Sequence, residues 1–124
     1  MFNRVLCWRS WKLVKGDENK ELKAIMKNFN IWIKYETENK LIKELEEQLV
    51  KSGFNILGKS EHYFEPYGYT GLWLLSESHF AIHSFPEEDK IYIELTSCVT
   101  QPFENMKNYI KENKKCIEKF IEIC

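Results

Sequence analysis

Residues 73–86 read Trp-Leu-Leu-Ser-Glu-Ser-His-Phe-Ala-Ile-His-Ser-Phe-Pro. The flanks have the apolar character of a sheet interior, yet Ser76-Glu77-Ser78-His79 interrupts them. A buried polar group left unpaired costs about 1–3 kcal/mol. These residues therefore either meet solvent at a strand junction or form a site in which they satisfy one another. A hydroxyl, a carboxylate and a nearby imidazole (His83) are the groups that serve nucleophilic and proton-transfer chemistry. The four cysteines, Cys7, Cys98, Cys116 and Cys124, include no CxxC pair, and no histidine stands at zinc-ligand spacing from them. They read as free thiols, and singly as small buried hydrophobes. No metal site is expected.

The elements that must hold these groups follow from hydrophobic periodicity. Leu22, Ile25, Met26 and Phe29 recur at i, i+3, i+4 and i+7, which predicts a helix. Met1–Val14, with Trp8 and Trp11, is consistent with a short strand, and residues 15–19 form a turn. Ile31–Tyr35 is rich in strand formers. Leu41, Ile42, Leu45, Leu49 and Val50 trace a helical stripe, with Thr37 or Asn39 to cap its start and Gly53 its end. Strands are expected over 54–64, 72–75, 79–85 and 91–99, punctuated by Pro66, Gly68, Gly71 and the Pro86–Asp89 turn. Phe103, Met106, Ile110, Ile117 and Ile121 recur at helical spacing as a last stripe. A break at Asn113-Lys114-Lys115 leaves 116–124 as a final helix or strand. The expected fold is α+β, a two-layer sandwich of an antiparallel sheet with helices packed on one face.

Composition narrows the function classes. At 124 residues the chain is one domain on size, large enough to bury about two-thirds of its extended surface. With 44% hydrophobic and 15% aromatic residues, intrinsic disorder is excluded. Lys+Arg number 18 against 19 Asp+Glu, a mixed and nearly neutral balance that argues against nucleic-acid or polybasic membrane binding. No apolar run approaches the ~20 residues of a membrane span, and none at the start resembles a secretory signal. A cytoplasmic location is the expectation.

Taken together, residues 62–71 (His-Tyr-Phe-Glu-Pro-Tyr-Gly-Tyr-Thr-Gly), Leu75–His79, Ile82-His83-Ser84-Phe85-Pro86-Glu87 and Thr96-Ser97-Cys98 closely resemble the prokaryotic S-adenosylmethionine decarboxylases. These are the pyruvoyl-dependent enzymes of spermidine synthesis. That family's signature is a Glu-Ser-His, then Ile-His-x-x-Pro-Glu, with a cysteine twenty positions after the serine, as Cys98 follows Ser78. The resemblance runs from Asn30 to Tyr109. It divides the chain into an N-terminal extension, 1–29, and a decarboxylase-like domain, 30–124.

The resemblance implies a chemistry. Decarboxylating an α-amino acid leaves a carbanion that needs an electron sink. The family makes its sink from its own chain. Ser78 would attack the carbonyl of Glu77, and elimination would cut the chain between them and leave residue 78 as a pyruvoyl group. That group would form a Schiff base with the substrate amine, without pyridoxal phosphate or metal. His83 matches the processing base, Thr70 the hydroxyl that polarises the Glu77 carbonyl, and Cys98 the acid that reprotonates the product. Phe64 and Phe85 match the adenine-stacking rings, and Glu87 the acceptor for the ribose hydroxyls. Because residues 78 and 83 fall on opposite faces of a regular strand, a bulge near Ser78–Phe80 is expected.

The family further implies a homodimer of cleaved protomers acting on a small molecule. Departures from its pattern are the extension, the position around Asn30 where relatives carry histidine, Thr70 for the usual serine, Phe85 for tryptophan, Val99 for glycine, and a short C-terminal tail. Two alternatives stand beside the main reading: a pyruvoyl-dependent decarboxylase of ornithine or arginine, and a non-catalytic regulatory homologue. The intact set Glu77, Ser78, His83 and Cys98 argues against the second.

Overall fold

The structure, a computed structural model, describes residues 25–117 and 121–123. The expectations for Met1–Val14, the turn at 15–19, Leu22, Cys7 and Cys124 lie outside them. Strand β1 (Lys27–Lys34) leads to helix α1 (Glu38–Ser52), and then to β2 (Ile56–Tyr63), β3 (Tyr69–Leu75) and β4 (Ser78–Phe85). A single 3₁₀ turn at Pro86–Glu88 precedes β5 (Lys90–Ser97), helix α2 (Thr100–Asn113) and a short β6 (Ile121–Ile123). The strands form one antiparallel sheet in the order β2-β3-β4-β5-β1-β6.

Period-two alternation decides which face each strand buries. Phe29, Ile31 and Ile33 of β1, Tyr69, Trp73 and Leu75 of β3, Phe80 and Ile82 of β4, and Ile91, Ile93 and Leu95 of β5 all point to one side. There they form a single core with Leu41, Leu45 and Leu49 of α1 and Phe103, Met106 and Ile110 of α2. This is the two-layer α+β sandwich expected from the pattern. α1 ends as predicted at Gly53, whose left-handed φ of 119° lets its N–H reach the carbonyls of Leu49 and Val50. Thr37 occupies the N-cap but makes no side-chain cap bond.

Three expectations are corrected or resolved. The helix read over Leu22–Phe29 does not extend to its described end: Phe29 lies inside β1, and Ile25 and Met26 precede it exposed. Pairing of β1 with β5, from Lys27↔Ser97 to Lys34↔Lys90, overrides the local helical spacing. No bulge occurs near Ser78–Phe80. The β3–β4 register is continuous from Leu75↔Ser78 to Tyr69↔Ser84, and the irregularity falls instead in β2, between Ile56 and Gly58. The final segment, left as helix or strand, pairs with β1 through Ile121–Ile123 and a bridge from Cys116 to Ile33.

Buried charge anchors that last segment. Lys107 of α2 bonds Glu104 and Glu122, both at 2.9 Å, tying α2 to β6. Lys114, with a nearly buried side chain, holds Glu36 at 3.2 Å and Glu44 at 2.7 Å. Glu44 also accepts from Tyr109, whose phenol is pushed up to about 12 by burial and by that carboxylate. Each lysine is paired twice, as a desolvated ammonium requires.

Gly71 is needed for space. The Tyr69 ring folds across it so that its hydroxyl can donate to Glu61 at 2.6 Å, and a Cβ on Gly71 would sit 2.3 Å from that oxygen. Gly71→Ala should therefore destabilise the fold by about 1–3 kcal/mol, read as a lower urea midpoint at unchanged slope. An unchanged midpoint would contradict the packing described.

Candidate active site

The β3–β4 hairpin closes with a two-residue loop, Ser76-Glu77, between the paired Leu75 and Ser78. Glu77 has φ of +58°, one of two non-glycine residues with positive φ among those described. Such a position favours Gly or Asn. Ser78 starts β4 with its side chain buried on the helix side, directly opposite Ser97 of β5. Its hydroxyl donates to Ser97 Oγ at 2.8 Å. The fully buried Ser97 hydroxyl in turn donates to the Val99 carbonyl at 3.3 Å and accepts from the Val99 N–H at 3.0 Å. Extending the β4–β5 register by one residue sets Glu77 opposite Cys98, and the half-buried Cys98 thiol donates to Glu77 Oε1 at 3.4 Å. Desolvation, then the hydrogen bond and charge of Glu77, push the Cys98 thiol up. The Ser78 hydroxyl, the Glu77 carbonyl and the Cys98 thiol thus share one end of the sheet.

The other candidates gather at the opposite end. Thr70 and His83 are cross-strand partners, and Thr70 Oγ1 lies 3.0 Å from His83 Nδ1. On that same face the His83 ring is followed by Tyr92, Trp32 and Phe85, with successive centroids 6.0, 5.2 and 5.5 Å apart. Lys90 Nζ lies 4.2 Å over the Trp32 ring. Phe64, about half exposed, follows β2 beside His62, the two rings 4.5 Å apart. Gly68 lies between Phe64 and β4: a Cβ there would come within 3.6 Å of Phe64 and 3.9 Å of the Ser84 carbonyl. Glu87 is exposed in the 3₁₀ turn immediately after Phe85.

The chain does not bring the two groups together. Ser78 and His83 are five residues apart on an unbroken strand, about 17 Å along its axis, and on opposite faces of it. One cluster therefore holds Glu77, Ser78 and Cys98, and the other holds Thr70, His83, Phe64, Phe85 and Glu87. Sequence reasoning missed Ser97 as the partner of Ser78, and Trp32 and Tyr92 as the wall behind Phe85 and His83. Only the pairing of β5 with β4 and β1 reveals them. Among the described residues no group of three or more His, Cys, Asp or Glu could hold a metal ion, and no helix is long and apolar enough to cross a membrane.

Comparison with known proteins identifies the family. The family profile described as S-adenosylmethionine decarboxylase matches residues 34–117. An S-adenosylmethionine decarboxylase proenzyme of Clostridium botulinum is 37% identical over 75 residues, 59% of this chain and 61% of its own length. The match thus spans about three-fifths of that relative. A proenzyme of the same description from Bacillus cereus is 47% identical over 49 residues, 40% of each chain. The crystal structure of the adenosylmethionine decarboxylase from Aquifex aeolicus superposes with a TM-score of 0.62 at 21% identity, covering 82% of this chain and 88% of that one, a likeness of fold. The profile match over most of the described domain decides the membership: this chain belongs to the S-adenosylmethionine decarboxylase family.

Proposed function

We propose that the protein is a self-processing decarboxylase of S-adenosylmethionine that works as a homodimer, each active site completed by the partner subunit. Its product would be the aminopropyl donor for spermidine synthesis. One observation carries the reading: Glu77, Ser78, His83 and Cys98 are all present, but His83 stands at the opposite end of the sheet from the other three and on the face away from the Ser78 side chain. A twofold axis through the helix-free face would lay the hairpin end of one sheet over the His83 end of the other. That face exposes Leu72 and Leu74, apolar side chains that a second copy would cover.

The residues present fit self-processing. The Ser78 hydroxyl adds to the Glu77 carbonyl, and the peptide bond becomes an ester. Removal of the residue-78 Cα proton expels Glu77 as a free carboxylate. Water then replaces the nitrogen of the dehydroalanyl end, releasing ammonia and leaving the pyruvoyl group. That group supplies the electron sink for decarboxylation. His83 of the partner subunit would take the Cα proton. With its Nδ1 engaged by Thr70, Nε2 is the ring nitrogen left for that task. The Thr70 hydroxyl would polarise the carbonyl. Ser97 holds the Ser78 hydroxyl before attack, and Cys98 delivers the proton to the product carbon. Phe64, Phe85 and Glu87 border the same end of the sheet, where a purine and a ribose would be met.

Mass spectrometry under denaturing conditions should show fragments of 77 and 47 residues, the shorter one blocked by pyruvate, and a single chain for Ser78→Ala. An uncut wild-type protein that still decarboxylates would refute the mechanism. Sharing of sites between subunits is tested by refolding Ser78→Ala together with His83→Ala. The mixture should regain roughly a quarter of wild-type cleavage and turnover, because half of the dimers are mixed and each has one intact site. No recovery would place both groups in one chain. Phe64→Ala should raise KM for S-adenosylmethionine roughly ten- to a hundredfold if base stacking is worth about 1–3 kcal/mol, with self-cleavage intact. Faster turnover of ornithine or arginine by the wild type would assign the site to those substrates.

A further inference from the structure

Self-cleavage as described uses only the backbone carbonyl of residue 77, which any amino acid would supply. The Glu77 side chain is left without a task, although it stands in a left-handed conformation that a glycine would adopt at no steric cost. The register gives it one. Glu77 lies opposite Cys98 immediately beyond the last β4–β5 pair, Ser78↔Ser97, and cross-strand neighbours of this kind interact directly. The contact is made: the thiol donates to Oε1 at 3.4 Å.

We propose that Glu77 is a positioning residue for the acid: its carboxylate holds the Cys98 sulfur in the thiol form and aims it beside residue 78. The proposal rests on the reading of Cys98 as the proton donor. A donor must carry its proton when the carbanion forms, and a thiolate at this point would be useless for that step. A neighbouring carboxylate favours the neutral thiol by charge, and its lone pair fixes where the S–H points. Desolvation acts in the same direction. Glu77 would then serve twice, its carbonyl in maturation and its side chain in turnover. Its side chain also stays attached after the cut, on the new C-terminus of the first fragment.

The test needs neither cleavage nor turnover. In full-length protein carrying Ser78→Ala, the rate of Cys98 alkylation by iodoacetamide is followed by mass spectrometry of its peptide, with Cys116 as internal reference. Adding Glu77→Gln keeps the shape and removes the charge. Lowering a thiol pKa by one unit raises its thiolate fraction tenfold, offset in part by lower nucleophilicity, so Cys98 should react roughly three- to tenfold faster at pH 7.5. In the processed enzyme, the alkaline limb of the kcat profile should move to lower pH in Glu77→Gln. Equal alkylation of Cys98 in the two proteins, or an acceleration shared by Cys116, overturns the proposal. Because the alkylation rate is read on an uncut chain, that failure is separable from a failure of self-processing or of substrate assignment.

Discussion

Everything in the arrangement of functional groups depends on the uninterrupted antiparallel register of β3, β4 and β5. Seven consecutive pairs join β3 to β4 and eight join β4 to β5, with no inserted residue. In such a ladder the separation of two residues along a strand decides both their distance and the face each occupies. An odd separation of five sends Ser78 toward the helices and His83 away from them. A single bulge in β4 would reverse that relation, and none is present. The same ladder makes Ser78 and Ser97 partners, Glu77 and Cys98 neighbours, and Thr70 and His83 a hydrogen-bonded pair.

Much of the fold was legible in the sequence, and the misses have a common cause. The helices announced themselves through apolar stripes that recur over several turns, and Gly53 marked the end of the first. The central strands were recognisable from β-branched and aromatic runs between turn residues. What failed depended on partners far along the chain. Phe29 fits a helical stripe with Leu22, Ile25 and Met26, but it also alternates with Ile31 and Ile33, and pairing with Leu95 settles the competition. The bulge was expected because a separation of five puts Ser78 and His83 on opposite faces of a regular strand. Motif order singled out the candidate residues, and it could not convey that the fold sets them at opposite ends of the sheet. Ser97 was hidden for the same reason, since nothing local marks it apart from its place opposite Ser78.

Apart from the Trp73 indole N–H, which is buried without a hydrogen-bond partner, the buried polar side chains among the described residues of this small sandwich are paired. Lys107 and Lys114 each carry two carboxylate partners, Tyr69 and Tyr109 each donate to a glutamate, and Ser97 engages Ser78 and both backbone groups of Val99. Satisfied networks of this kind make alternative packings costly, because moving one member strands the others. They border the sheet ends and the helix-to-strand joins, where the apolar core thins out.

The strand order has a mechanical consequence for the proposed self-cleavage. The sequence before residue 78 contributes β1, β2 and β3, and the sequence after residue 77 contributes β4, β5 and β6. Across the sheet these alternate in blocks: β2 and β3 from the first piece, β4 and β5 from the second, β1 from the first, β6 from the second. β1 is gripped on both edges by the later piece, through β5 along its whole length and through β6 and the Cys116 bridge on the other side. The two halves interlace like the fingers of clasped hands. Once the hairpin loop is cut, parting them would mean drawing a fully paired strand out from between its neighbours, together with α1 from α2. A cut at residue 77, as proposed, would leave the two pieces held together by the pairing of β1 with β5 and β6.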